Sequence, residues 1–348
     1  MRLPDWRVPT DKSISHRSVI LGGLGSGLSV VHNFLQSQDC LSTLRCMRGL
    51  GVAVEEQGDL LRIAGRGWDG LGEPVDILDA GNSGTTMRLL SGVLSGVKGL
   101  SCVTGDASLR SRPMARVVEP LRRMGATIWG RQGGRYAPLA VHGGMLGAIE
   151  YELPVASAQV KSAILLGALR AEGVTRVKEP EASRDHTERM LAGRGVKVQA
   201  EGGWLSVAGG QSVGAAEMKV PGDPSSAAFL GAIALLNAGS ELLLKDVLVN
   251  PTRIGLFNIL RRMGGQVVEH NRRVEDGEPV ADLQFVTSGL KGTMVGKAEI
   301  PSTIDELPLL AVLASQAEGE TRVEGAEELR VKESDRIKGI VTGLRAMG

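Results

Sequence analysis

The sequence predicts an α/β protein of two domains, with very apolar helices inside and short strands outside. Three observations point there. The chain has 348 residues, twice a comfortable single domain, so two domains or one large composite unit is expected. It holds 48 glycines against four Phe, four Trp and two Tyr; glycine spread along the whole length, with no collagen or linker pattern, implies many tight turns between short elements. The chain also repeats itself. An amphipathic helix, an apolar residue or arginine, a glycine and a β-like stretch recur at Leu50-Gly51, Met124-Gly125, Arg194-Gly195, Met263-Gly264 and Met347-Gly348, roughly 70–84 residues apart.

A second set of helices interleaves with the first. In order these are SHRSVILGGLGSG closing on Gly27, TMRLLSGVLSG on Gly96, KSAILLGALRAEG on Gly173, SSAAFLGAIALLNAG on Gly239 and LPLLAVLASQAEG on Gly319. A helix as apolar as AILLGAL has no solvent face and belongs inside a domain, with sheets around it. Its terminal glycine suits a left-handed C-cap. The partner helices are amphipathic, as in ARVVEPLRRMG, and ATIWG, VKVQA, LSVAG and QVVEH read as strands from β-branched content and bounding glycines. The fifth unit ends on Gly348, where its four predecessors continue into a strand. Two balanced domains would need six units, so the expectation is a chain lacking roughly 70–80 residues of a sixth. Leu309, Leu310 and Val312 would then be partly exposed.

Composition excludes several classes. Lys+Arg at 40 against Asp+Glu at 39 leaves a net charge of +1, too little field to hold a nucleic-acid backbone or an anionic membrane. The 42% hydrophobic and 23% charged content is globular, with no apolar run long enough to span a bilayer. The opening MRLPDWRVPTDKS has no apolar signal region, so the expected location is the cytoplasm. Cys40, Cys46 and Cys102 form no CxxC pair and read as reduced thiols, with neither a disulfide framework nor a metal site.

Chemistry gathers at helix starts. Asp11-Lys12-Ser13-Ile14-Ser15-His16-Arg17 places cations, hydroxyls and an imidazole before an apolar helix, where free N–H groups and the positive dipole end favour an anion such as a phosphate ester. Gly81-Asn82-Ser83-Gly84-Thr85-Thr86-Met87-Arg88 is a glycine-rich turn into the next apolar helix; it presents backbone N–H groups but matches neither a Walker A loop nor GxGxxG. In Gly105 to Met114, Arg112 precedes a proline suited to a first helical turn, which puts its guanidinium at a helix N-terminus. Asp305-Glu306 opens the LPLLAVLA helix, and Arg330 to Arg336 opens the last one. Singly, such acidic residues read as dipole partners.

In this order the motifs resemble the 5-enolpyruvylshikimate-3-phosphate synthase family: Lys12 to Arg17, Gly81 to Thr85, Ser108 to Met114, Ser157-Ala158-Gln159-Val160-Lys161-Ser162, Ser183-Arg184-Asp185-His186-Thr187, Ile304-Asp305-Glu306 and Arg330 to Arg336. The resemblance covers the whole chain. It implies a two-domain inside-out α/β barrel of the enolpyruvyl transferase kind, built from βαβαββ repeats with five of six units present. Residues 1–11 and 219–348 would form one domain and residues 12–218 the other. It further implies a cytoplasmic monomer in which shikimate 3-phosphate and phosphoenolpyruvate meet between the domains, with no metal or organic cofactor and no nucleic acid or membrane as partner. Lys12 would touch both substrates. Ser13, Arg17, Ser157, Ala158, Gln159, Ser183, Arg184 and Lys332 would hold shikimate 3-phosphate. Asp305 would bind the attacking hydroxyl and act as its base. Gly84, Arg112, Gln159 and Arg336 would line the phosphoenolpyruvate pocket, and Glu333 would move a proton to and from the methylene carbon.

Thr10 stands where the family has a turn glycine and is expected to stiffen or strain the first crossover. Two other readings use the same motifs. One is enolpyruvyl transfer to UDP-N-acetylglucosamine, disfavoured because no cysteine occupies a plausible loop for that relative's acid. The other is a non-catalytic binder of shikimate 3-phosphate.

Overall fold

The computed structural model describes residues 6–331 and 334–348. The chain forms two compact units: Lys12–Pro180 with Asp185–Val220, and Met1–Asp11 with Glu181–Arg184 and Pro221–Gly348.

The larger unit builds one sheet three times. Gly25–His32 pairs antiparallel with Leu60–Arg66, which pairs antiparallel with Ala53–Gln57, while Glu217–Lys219 joins the other edge in parallel. Gly99–Thr104, Tyr136–Gly143 and Thr127–Gly130 repeat the order, with Leu78–Asp79 as the parallel edge. So do Val174–Lys178, Trp204–Ala208 and Val198–Glu201, with Glu150–Glu152. Leu60–Arg66 alternates buried and exposed residues, the period-two pattern of a strand with one face on a core.

Three apolar helices fill the interior of this unit. All of Lys12–Leu24 is buried except Lys12 and Ser13; all of Gly84–Gly96 except Thr85 and Arg88; all of Ala158–Ala168 except Ala158 and Gln159. Each helix is therefore closed along its length and accessible only at its start. The last two pack so closely that a Cβ on Gly92 would come within 2.2 Å of the Ala163 carbonyl oxygen, so glycine is required there.

The smaller unit carries a fourth sheet of the same kind, Glu241–Leu248, Glu278–Val286 and Gln266–Glu275. The parallel pair Met294–Val295 with Arg322–Val323 follows it. Its core centres on Phe257 and Phe285, whose rings meet edge to face at 5.7 Å. Helices Pro224–Leu236 and Leu307–Ser315 bury one side and leave Phe229, Ile233 and Val312 exposed. Leu309 and Leu310, expected to be partly exposed, are buried, because both belong to that core.

Two further expectations change. The left-handed glycine cap belongs to the amphipathic helices and not to the apolar ones. Gly51, Gly125, Gly195 and Gly264 all have positive φ. At each, the glycine N–H bonds the carbonyl three residues back and the next N–H reaches one five back, as in Gly51 to Arg48 and Val52 to Met47, the Schellman closure. Gly27, Gly173, Gly239 and Gly319 also have positive φ, but the apolar helices stop before reaching them, Lys12–Leu24 ending three residues before Gly27, and Gly96 lies inside its helix. Thr10 is not among the described residues with positive φ. It forms an antiparallel bridge with Gly222, an extended geometry that carries no strain for a side chain.

Candidate functional site

In the larger unit the starts of the three interior helices are tied together by polar side chains. Ser83 and Ser157 are the N-caps of the second and third helices, their Oγ atoms accepting from the N–H groups of Thr86 and Val160. Each cap satisfies a donor that the helix leaves open. Gln159 Nε2 donates to Thr85 Oγ1 at 2.9 Å, and Gln159 Oε1 accepts from Arg88 Nη1 at 2.6 Å, linking the two starts. The Gly81–Arg88 turn is held from outside as well. Asn82 donates to Asp106 at 2.6 Å and accepts from Arg112 Nη2 at 2.7 Å. The Asn82 bond, helped by the Leu109 N–H, holds the Asp106 carboxyl below its ordinary pKa.

Arg112 differs from its expected place. It caps the C-terminus of the short Ala107–Ser111 helix, and the next helix begins only at Ala115. Its guanidinium reaches back to Asn82 and Ser108. It nevertheless faces the glycine turn, since a Cβ built on Gly84 would lie 2.9 Å from Arg88 Nη1 and 3.5 Å from Arg112 Nη1. Gly84 thus gives room to two guanidinium groups.

Arg17, expected among the residues that hold shikimate 3-phosphate, is buried. It donates from Nε to Thr187 Oγ1 at 2.7 Å, from Nη2 to Ser162 Oγ at 2.8 Å and from Nη1 to the Ser13 carbonyl at 2.9 Å. One guanidinium therefore organises the first turn of its own helix and two hydroxyls from elsewhere. Beside it, His16 Nδ1 meets Thr43 Oγ1, which meets Thr86 Oγ1, each at 2.6 Å. Lys12 is half exposed, 3.3 Å from Asp39. Ser13 begins the same helix and is partly exposed.

Beneath Ser157 lies a buried charge triad that the sequence reading did not single out. Lys161 Nζ sits 2.6 Å from Glu179 and 2.8 Å from Glu188. Burial opposes its charge, but the two carboxylates prevail and raise its pKa. Glu179 also accepts from the Ser157 backbone N–H at 3.1 Å. The triad therefore sets the segment that carries the cap.

In the smaller unit Asp305 receives Arg184 on one oxygen and Arg336, at 3.1 Å, on the other. Burial alone would lift its pKa; the two guanidinium groups hold it well below the carboxylate range. Next to it Glu306 is buried, accepts from Ser225 Oγ and is pushed above its ordinary pKa by that burial. Ser183 is buried beside Arg184 in sequence. Lys332 and Glu333 lie outside the described residues. The structure thus brings together Gly84, Arg112, Gln159 and the missed Arg88 in one unit, and Arg184, Asp305 and Arg336 in the other. Arg88 stands at the end of the Gly81–Arg88 turn, and Lys161, Thr187 and Glu306 stand within the motifs that carry the family resemblance, but their partners are remote along the chain, so no local signal gave their roles. Among the described residues no group of three or more His, Cys, Asp or Glu could hold a metal ion, and no helix is long and apolar enough to cross a membrane.

The family described as EPSP synthase (3-phosphoshikimate 1-carboxyvinyltransferase) matches residues 5–348. The chain belongs to the EPSP synthase family. A relative from Geotalea daltonii, 3-phosphoshikimate 1-carboxyvinyltransferase, is 52% identical over 341 residues, 98% of this chain and 80% of the relative. One of the same name from Desulfitobacterium hafniense is 53% identical, covering 98% and 78%. The solved EPSP synthase of Acinetobacter baumannii superposes with a TM-score of 0.90 at 46% identity, over 99% of this chain and 78% of that one. The enolpyruvyl transferase NikO from Streptomyces tendae, at 15% identity and a TM-score of 0.71 over 92% and 74%, shares the fold. The two-domain enolpyruvyl transferase architecture that the resemblance implied, and with which the repeat agrees, is therefore the fold of this EPSP synthase family member. The expectation of a missing sixth unit gains no support from these matches.

Proposed function

We propose that this chain transfers the enolpyruvyl group of phosphoenolpyruvate to the 5-hydroxyl of shikimate 3-phosphate and releases phosphate. Family membership supports the reaction. The observation that carries the residue assignment is the Arg184–Asp305–Arg336 cluster, one carboxylate kept ionised between two guanidinium groups. Asp305 accepts the hydrogen of the attacking hydroxyl. As the oxygen bonds to C2 of phosphoenolpyruvate, a proton is added at C3, and the resulting tetrahedral adduct then loses phosphate from C2 and a proton from C3 to restore the double bond. A base works best with a pKa near the working pH, so Asp305 gains basicity when anionic substrate draws Arg184 and Arg336 away from it. Cations at the leaving phosphate stabilise the charge that develops there.

On this reading Lys12, Ser13, Ser157, Ala158, Gln159, Ser183, Arg184 and Lys332 hold shikimate 3-phosphate. Gly84, Arg112, Gln159, Arg336 and Lys12 receive phosphoenolpyruvate, and Glu333 carries the methylene proton. Arg17, sealed by Thr187 and Ser162, acts by ordering the Ser13 turn. A monomer in the cytoplasm belongs to the same proposal, as the family resemblance implies. The test is phosphate release with both substrates, together with calorimetry for each alone. Release dependent on both supports the transferase. Binding of shikimate 3-phosphate without release supports the non-catalytic binder.

A further inference from the structure

Arg253 sits in the smaller unit with its side chain only 3% exposed. Three acidic side chains face it. Nη1 bonds Asp11 Oδ2 at 2.5 Å, and Nη2 bonds Asp223 Oδ1 at 2.8 Å and Ser225 Oγ at 3.1 Å. Ser225 in turn donates to Glu306. Burial works against the guanidinium charge, yet Asp11, Asp223 and Glu306 hold its pKa above the ordinary value. The backbone around these carboxylates is cross-linked too: Asp11 N–H to the Pro221 carbonyl at 2.8 Å, and Asp223 N–H to the Pro9 carbonyl at 2.9 Å. Asp223 also caps the Pro224–Leu236 helix.

Two of the acidic residues are chain neighbours of the residues assigned above to chemistry. Asp11 precedes Lys12, and Glu306 follows Asp305. We propose that Arg253 is a positioning residue for the transfer, fixing through Asp11 the backbone from which Lys12 departs and, through Ser225 and Glu306, the backbone that carries Asp305. The inference rests on the roles proposed for Lys12 and Asp305. A planar guanidinium suits this task because its fork spans several acceptors in fixed directions, which an ammonium does not.

Arg253→Lys and Ser225→Ala test it in the full chain. Arg253→Lys keeps the charge and loses the fork, and Ser225→Ala cuts only the Glu306 arm. Shikimate 3-phosphate calorimetry counts binding-competent sites, and turnover is expressed per such site. Arg253→Lys is expected to lower kcat per site about 10- to 100-fold, the scale of a misplaced reacting group, and to weaken shikimate 3-phosphate binding. Ser225→Ala is expected to lower kcat about 10-fold on the same grounds, with that affinity unchanged. A purely structural role would reduce the number of sites and leave kcat per site intact. If the unaltered protein turns over and both variants match it per site, the positioning role is overturned and the transferase reading stands. If the unaltered protein releases no phosphate, the transferase reading falls, and amide exchange decides the geometry instead. Arg253→Lys must then speed exchange at residues 11–13 and 305–307 together while the Ala115–Arg123 helix stays unchanged; slow exchange at either segment overturns the role.

Discussion

Arg88 donates from Nη1 to Gln159 Oε1 at 2.6 Å, and a Cβ added at Gly84 would stand 2.9 Å from that same Nη1. Gly84→Ala therefore presses on the far end of a long, flexible arginine side chain. The chain should fold with its stability unchanged to within about 1 kcal/mol, while the Arg88–Gln159 contact shifts and the space beside Arg112 narrows. If Gly84 lines the phosphoenolpyruvate pocket as proposed, glyphosate, which the family resemblance implies as an inhibitor binding there, should lose affinity more than the KM for phosphoenolpyruvate rises. Equal changes in both constants would rule out this steric account.

Lys161 is enclosed with Glu179 and Glu188. Lys161→Met leaves two buried carboxylates facing each other, and urea denaturation should show a loss of about 3–5 kcal/mol. Adding Glu179→Gln and Glu188→Gln to that variant should recover much of the loss, since the uncompensated charge is its source. A single variant as stable as the unaltered chain would remove the triad from the stability argument.

Asp305 has a depressed pKa in the folded chain, so its charge contributes stability above the unfolded value near 4. That contribution is lost as pH falls from there through the folded value. The stability difference between the unaltered chain and Asp305→Asn should thus be constant from pH 7 to 5 and shrink below about pH 4. Phosphate release by Asp305→Asn should fall by at least about 100-fold through kcat; a change in KM alone would assign Asp305 to binding.

Lys12 is half exposed and its contact with Asp39 is a surface pair at 3.3 Å, worth about 0–1 kcal/mol. Lys12→Ala should leave the unfolding midpoint nearly unchanged, weaken shikimate 3-phosphate in calorimetry and abolish turnover. Normal kinetics in this variant would take Lys12 out of the site.

Much of this protein was legible along the chain. A helix such as Ala158–Ala168, apolar on every side, has only one stable environment, the interior of a unit, so its place follows from composition. The short strands around it follow from β-branched runs bounded by glycine, and the motifs at helix starts from the donors that every helix leaves open. The glycine caps were harder to assign, because a glycine near a helix end does not reveal its φ. Only the closed hydrogen bonds at Gly51, Gly125, Gly195 and Gly264 distinguish a cap from a strand glycine such as Gly27.

What tertiary structure alone decided is which charge meets which. Arg17 finds Ser162 and Thr187, 145 and 170 residues away; Arg253 finds Asp11, 242 residues away. Charge and hydroxyl content are local properties of a sequence, whereas pairing depends on distance in space, and the energy of a buried charge depends on what surrounds it. The same arginine letter therefore becomes an internal clasp at Arg17, a hub at Arg253 and a partner of Asp305 at Arg336, according to the neighbours that folding supplies.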